Sequence, residues 1–237
     1  MFNPGHFNNT NSPVPNMPVG TPPHQQDTKH GTTTVAVRFD GGVVLVADKR
    51  ASMGYMVASP RADKVHIIND RNVLTIAGSV ADAQYVIKLL RAEINIYELS
   101  RNFRMTTDMV ANLLASILYG QYRRFFPFFV GLLLGGYDEK GGHIYSFDLA
   151  GGASEEPYAS TGSGSPFAYG ALEAGFKEGM TKEDALKLAL TALRSAIKRD
   201  IATGDGIDTV VLTKEGPTKL SSDDIKAALG EMYPFKE

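Results

Sequence analysis

The chain has 237 residues, no cysteine, a formal net charge of −2 and a sequence pI of about 6.2. The missing cysteines exclude disulfides, thiolate catalysis and Cys-ligated zinc, and the near-neutral charge offers no electrostatic footprint for nucleic acid or an anionic membrane. With 43% apolar and 21% charged residues the chain can bury one large core or two small ones.

Residues 1–31 stand apart from the rest of the chain. Six of the 12 prolines fall there (Pro4, Pro13, Pro15, Pro18, Pro22 and Pro23), among Asn, Gln and His and without an apolar period. Such a segment cannot bury enough surface to offset its ordering entropy, so it is expected to be a disordered leader. It lacks the basic and apolar regions of a secretory signal. The most apolar run of the chain, Phe125 to Tyr137, is short for a membrane span and is interrupted by Pro127, Gly131, Gly135 and Gly136. A cytoplasmic location is expected.

From Thr33 the pattern becomes strand-like. Val35, Val37 and Phe39 alternate with smaller or polar residues, Asp40-Gly41 marks a hairpin turn, and Val43 to Ala47 continues it. His66 to Ile68 and Val73 to Ala77 predict a second hairpin across Asn69 to Asn72. A long helix is predicted next, with Tyr85, Leu89, Ala92, Ile96, Leu99 and Phe103 on its apolar face. A second helix is marked by Val110, Leu113, Leu114, Ile117 and Leu118. Strands return at Phe128 to Tyr137 and His143 to Leu149, joined by Glu139-Lys140-Gly141-Gly142.

Two more helices are predicted. One starts near Ser165-Pro166, where Ser can cap and Pro suits the first turn; the other starts near Thr181 and carries Leu186, Leu190, Leu193 and Ile197. A strand at Ile207 to Leu212 and a helix from Ser221 close the chain. Hairpins alternating with paired helices predict two sheets packed face to face, with helices covering both outer faces.

The junction Lys29-His30-Gly31-Thr32-Thr33-Thr34-Val35 is where leader meets strand. Taken alone, Thr32 is a β-favouring residue that begins a strand. Cleavage of the Gly31–Thr32 bond would give it a free α-amine beside its hydroxyl, a nucleophile with its own base. The small glycine would let the Thr32 hydroxyl reach the Gly31 carbonyl and release the leader through an N→O acyl shift and hydrolysis. Asp200 is the other residue that asks for an explanation. A carboxylate in the last turn of a helix opposes the macrodipole, yet one stands here before Ala202-Thr203-Gly204.

Beyond the leader the chain resembles a proteasome β subunit of the archaeal type. The resemblance rests on an ordered set: Gly31-Thr32-Thr33-Thr34-Val35, Ala47-Asp48-Lys49-Arg50, the Lys64 segment, Thr75-Ile76-Ala77-Gly78, Ala159-Ser160-Thr161-Gly162-Ser163-Gly164-Ser165-Pro166, and Arg199-Asp200. It implies an α+β fold, the four-layer αββα sandwich of two antiparallel sheets found in N-terminal-nucleophile hydrolases. It also implies threonine endopeptidase activity in a stacked ring, degrading unfolded proteins to short peptides. Residues 1–31 become a propeptide removed by autocleavage and 32–237 the catalytic domain.

The residue roles come from the same resemblance. Thr32 is the nucleophile, with its N-terminal amine as base. Lys64, otherwise a solvated lysine, places its charge beside the threonine, and Asp48, otherwise a turn residue, is its carboxylate partner. Ser163 hydrogen-bonds the threonine amine, and Asp200 orients both. Thr203 stands where the family usually has serine and retains the hydroxyl. The Gly78 N–H is the expected oxyanion donor. Ser52, Gly78 and Val80 pair their backbone with extended substrate, and Ala51, Ile76, Val80 and Gln84 line the first specificity pocket. No acid is among these, so cleavage after bulky apolar residues is expected rather than after Lys or Arg. No metal or cofactor is called for. The implied partners are other β subunits, an α-subunit ring and a regulatory ATPase; Phe125-Phe126-Pro127-Phe128-Phe129 and extended apolar helix faces could supply ring contacts, a buried strand being the alternative for the phenylalanine stretch. A catalytically silent ring subunit is the competing reading, disfavoured because Thr32, Asp48, Lys64, Ser163 and Asp200 are all present.

Overall fold

The computed structural model describes residues 31–230, so the expected leader lies outside the described residues apart from Gly31, as do residues 231–237. One five-stranded antiparallel sheet has the order β10-β1-β2-β11-β12. It contains β1 (Thr33–Phe39), β2 (Gly42–Asp48), β10 (Tyr158–Gly162), β11 (Ile207–Thr213) and β12 (Gly216–Lys219). The second has the order β5-β6-β7-β8-β9: β5 (Val65–Ile67), β6 (Asn72–Gly78), β7 (Val130–Asp138), β8 (Gly141–Phe147) and β9 (Ala153–Glu155). A separate hairpin joins β3 (Ala51–Met53) to β4 (Met56–Ser59).

Helices α1 (Val80–Arg101) and α2 (Thr107–Tyr122) cover the second sheet, and α3 (Ser165–Gly175), α4 (Lys182–Ile197) and α5 (Ser222–Leu229) the first. The strand period of two explains how one chain fills three interlayer spaces. On β2, Val44 and Val46 pack against α3 and α4, while Val43, Leu45 and Ala47 meet the opposite sheet. On β7, Leu132 and Leu134 face α1 and α2, while Leu133 faces the first sheet. Strands buried on both faces read as almost continuous apolar runs, which is why β2 has no polar side chain before Asp48. The expected αββα sandwich is the observed architecture.

Several details differ from the sequence reading. Of the predicted stripe, Tyr85, Ile96 and Leu99 on α1 are exposed, as is Phe103 beyond its end; the buried face is Ala83, Val86, Ile87, Leu90 and Ile94. The aliphatic row of Val86, Ile87, Leu90 and Ile94 packs on the sheet, and the other apolar row is left in solvent. Ser165 does not cap α3: Gly164 occupies that position without a side-chain bond, and Pro166 sits in the first turn. Thr181 does cap α4, and Ser221 forms a capping box with Asp224. The phenylalanine stretch is no buried strand. β7 begins only at Val130, and Phe125, Phe126 and Phe129 are exposed.

Candidate active site

Thr32 stands at the entry to β1, where the sheet edge, the β10–α3 turn and the loop after α4 converge. It is 4% exposed. Its hydroxyl donates to the Gly31 carbonyl oxygen at 2.6 Å, and its peptide N–H donates to Ser163 Oγ at 3.2 Å. The preceding residue is gripped as well, because the Gly31 N–H donates to Ser52 Oγ at 2.8 Å. Gly31 has no room for a side chain: a Cβ there would lie 1.6 Å from the Ala202 Cβ.

Strand β10, absent from the sequence reading, is what brings Ser163 here. Its small and polar residues look loop-like, yet they pair with β1 in the register Thr33↔Gly162, Thr34↔Thr161 and Val35↔Ser160. Gly162 at the end of β10 has φ +98°, and a Cβ would lie 1.9 Å from the Thr32 carbonyl oxygen. Only glycine combines that conformation with that approach. Ser163 comes immediately after it, directed back at Thr32.

Asp200 anchors this side. It lies beyond the end of α4 at Ile197, held by an N–H bond to the Ala196 carbonyl, rather than in the last helical turn as the sequence suggests. One carboxylate oxygen accepts from Ser163 Oγ and from Thr203 Oγ1, each at 2.5 Å, and the other accepts from the Ala202 N–H at 3.2 Å. The Thr33 hydroxyl, unremarked in the sequence, donates to Thr203 Oγ1 at 2.7 Å. Thr203 therefore relays between the carboxylate and the residue after Thr32, and its hydroxyl does what a serine hydroxyl could.

The opposite side is built on Asp48, at the end of β2 and fully buried. It accepts from four donors: Lys64 Nζ at 2.8 Å, the Thr33 N–H at 2.9 Å, and the Arg50 and Gly204 N–H groups at 3.0 Å each. Lys64 also donates to the Arg50 carbonyl at 2.5 Å. Burial pushes the Asp48 carboxyl above its ordinary value, opposed by the Lys64 charge and its hydrogen bond. Burial likewise pushes the Lys64 ammonium below its ordinary value, opposed by Asp48. A lysine so placed gives up a proton more readily than a free one.

In the sequence Arg50 figures only as part of a motif. Its guanidinium clamps Asp205 through two bonds, 2.7 and 3.1 Å, and reaches the Ile201 carbonyl at 2.9 Å. That fork ties the 200–206 loop to the β2–β3 turn, so both carboxylates are fixed in one frame.

A cavity of about 250 Å³ opens beside Thr32. All five sequence-derived substrate residues (Ala51, Ser52, Ile76, Val80 and Gln84) line it, together with Gly78, Lys64, Gly31 and Thr32. Gly78 has φ +119° and faces the Phe129 carbonyl so closely that a Cβ would lie 2.2 Å away. Ala62, Asp63, His66, Ala83 and Ile87 also line the cavity, and no sequence motif singles them out. A larger groove of about 650 Å³ along α3 and α4 shares no residue with this site. Among the described residues no cluster of His, Asp or Glu could hold a metal ion.

The arrangement brings a hydroxyl, the backbone nitrogen beside it, one buried and one half-buried carboxylate anchor and a lysine to the edge of one pocket. Comparison with known proteins matches residues 28–212 to the family described as "Proteasome subunit". A protein called proteasome subunit beta from Methanoregula boonei is 46% identical over 211 residues, 89% of this chain and 98% of its own length. One from Methanocorpusculum labreanum is 47% identical, over 86% of this chain and 96% of its own. One from Archaeoglobus profundus is 46% identical, over 85% and 94%.

Proposed function

The chain belongs to the proteasome subunit family, and from that premise we propose that Thr32, freed by cleavage of the Gly31–Thr32 bond, is its catalytic nucleophile. The chain is a β-type subunit of the 20S core, a threonine-type endopeptidase that assembles with other subunits. The observation that carries the site reading is the pair of contacts at Thr32: hydroxyl on the Gly31 carbonyl oxygen, nitrogen on Ser163.

Maturation proceeds within the chain. Thr32 Oγ attacks the Gly31 carbonyl carbon, the C–N bond breaks as the nitrogen takes a proton, and an ester replaces the peptide bond. Water hydrolyses the ester, leaving the Gly31 carboxylate on the released propeptide 1–31 and a free amine on Thr32. In turnover that amine accepts the Thr32 hydroxyl proton as Oγ attacks a substrate carbonyl, then passes it to the leaving amine. A second water cleaves the acyl ester. Lys64, which lines the same pocket as Thr32, lowers the proton affinity of the Thr32 hydroxyl, and Asp48 makes its buried charge tolerable. Ser163, Asp200 and Thr203 hold the amine in line, and the Gly78 N–H receives the developing oxyanion, a contribution of roughly 10²–10³-fold in other hydrolases.

The pocket walls support cleavage after bulky apolar residues. The exposed Tyr85, Ile96 and Leu99 of α1 and Phe125, Phe126 and Phe129 support contacts with neighbouring β subunits and an α ring. A regulatory ATPase feeding unfolded polypeptide and a cytoplasmic location complete the proposal; no helix among the described residues is long and apolar enough to cross a membrane. The test is Thr32→Ala in assembled particles, which should keep the leader and lose all peptide hydrolysis. Normal hydrolysis by that variant would remove Thr32 from the mechanism.

A further inference from the structure

Lys219 ends β12, and its place in the sheet decides where its side chain goes. It pairs with Val210 on β11, and residues opposite one another in an antiparallel pair project from the same face. Val210 packs against the second sheet, so Lys219 leans that way, as does Asp208, two residues from Val210 on β11. The Lys219 ammonium lies 2.9 Å from Asp208 Oδ1 and 3.6 Å from Asp63 Oδ1. Asp63 belongs to the run that leads into β5, the edge strand of the second sheet. One ammonium thus ties the edge of one sheet to the entry of the other.

Asp208 is an anchor held out of water. Its side chain is 1% exposed, and its Oδ2 makes no hydrogen bond among the described residues. A buried carboxylate with one cationic partner adds little stability that an apolar residue would not supply. What it does supply is a fixed place for the cation. The Asp208 hydrogen bond raises the proton affinity of Lys219, burial opposes it, and the charges of Asp208 and Asp63 add to the rise. The residue after Asp63 is Lys64, and the run around it is held at several points. The Ala62 N–H donates to the Lys49 carbonyl at 2.9 Å, the Ile76 N–H donates to the Lys64 carbonyl at 3.0 Å, and Val65 is buried between the sheets. Asp63 is held by charge, between Lys219 and Lys49, whose Nζ lies 4.0 Å away.

We propose that Lys219 is a positioning residue for catalysis: anchored on Asp208, it holds Asp63 and so fixes the backbone from which Lys64 reaches Asp48 and the pocket of Thr32. The idea rests on the reading of Lys64 as the lysine that serves Thr32. Its influence is mechanical. Burial acts most on the proton affinity of Lys64, followed by Asp48, Asp200 and Arg50; Lys219 works at one remove, by limiting how far residue 63 can swing. Lys64 Nζ makes two short bonds, 2.8 Å to Asp48 and 2.5 Å to the Arg50 carbonyl. A backbone shift of about 1 Å would spoil both.

The test uses assembled particles of the full chain and reads kcat at saturating peptide, its pH dependence, and the melting temperature. Lys219→Met keeps the apolar stem and loses the charge. It should lower kcat roughly three- to thirtyfold, short of the about 10²-fold that a misplacement of about 1 Å can cost. With Lys64 looser and better hydrated, its proton affinity returns toward the ordinary value, so the alkaline limb of kcat should move to higher pH. Lys219→Arg should stay near wild type. Asp63→Asn leaves the Lys219–Asp208 pair in place, so it should melt near wild type yet show the same loss of kcat. The Lys219→Met/Asp63→Asn double variant should lose no more than either single one, as residues acting through one contact do. A Lys219→Met particle that melts lower but keeps the wild-type kcat and alkaline limb overturns the proposal, as does a wild-type kcat in Asp63→Asn. If Lys219→Met does not assemble, Asp63→Asn decides. Lys64→Ala separates the two levels: it should abolish turnover, and full activity in it would overturn the reading of Lys64 itself.

Discussion

Gly31→Ala should arrest maturation while leaving mature chemistry untouched. The added Cβ would sit 1.6 Å from the Ala202 Cβ and 2.8 Å from the backbone carbon that bears it, whereas carbon atoms at rest lie roughly 3.5–4.0 Å apart. The Gly31 backbone must then retreat by about 2 Å, breaking the 2.6 Å hydrogen bond between the Thr32 hydroxyl and the Gly31 carbonyl. A displacement of about 1 Å at a reacting centre can cost about 10²-fold in rate, so self-cleavage should slow by at least about that factor. The assay is an intact-mass time course on freshly assembled particles. Adding Ala202→Gly removes the nearer clash but leaves the residue 202 backbone in the way, and should restore the rate in part. When Thr32 is instead exposed by an external protease acting on an engineered leader, residue 31 is gone and peptide hydrolysis should equal wild type. Cleavage of Gly31→Ala at the wild-type rate would refute the steric account.

Asp48→Asn leaves the Lys64 ammonium buried without its counter-charge, a situation that costs about 3–5 kcal/mol. At about 2–4 °C per kcal/mol for a chain of this size, thermal unfolding should fall by roughly 6–20 °C, and peptide turnover by about 10²–10⁴-fold. Unchanged melting would mean the pair contributes little. Thr203→Val breaks the relay between Thr33 and Asp200 and should lower kcat about ten- to hundredfold, the value of a hydrogen bond to a charged group. Thr203→Ser should stay near wild type; equal loss in both would point to packing instead. Acid stability should depend on Asp138. Burial acts to raise its carboxyl, but the Lys140 and Thr107 N–H groups and His143 hold it below 3.8. The folded form thus prefers the carboxylate, and its contribution is complete above the ordinary value and lost as pH falls through and below it. Denaturant midpoints of wild type and Asp138→Asn should converge as pH drops past that value; parallel curves would show the carboxylate has no such role.

How legible the fold is depends on where each signal lies. Strands β1 and β2 and helix α4 are readable because apolar period and caps are local, and Thr181 and Ser221 start helices as their positions promise. Strand β10 is not, since Ala159, Ser160 and Thr161 become a strand only by pairing with β1. The α1 face is ambiguous because two apolar rows coexist on one helix, and only the sheet beneath decides between them. At the site, Thr32, Asp48, Lys64, Ser163, Asp200 and Thr203 do converge. Thr33 escapes notice because its partner is 170 residues distant. The clue for Arg50 is its place beside Asp48. His66 has a local sign as well: it falls two residues after Lys64, the spacing that puts two side chains on one side of an extended strand.

The central claim is that the base arises when the Gly31–Thr32 bond is cut. It is tested most directly by the intact mass and N-terminal residue of the subunit in active particles. The account predicts loss of residues 1–31 and an N-terminal Thr32 in every particle that hydrolyses peptides. A full-length subunit that turns over peptide at the same rate would contradict it.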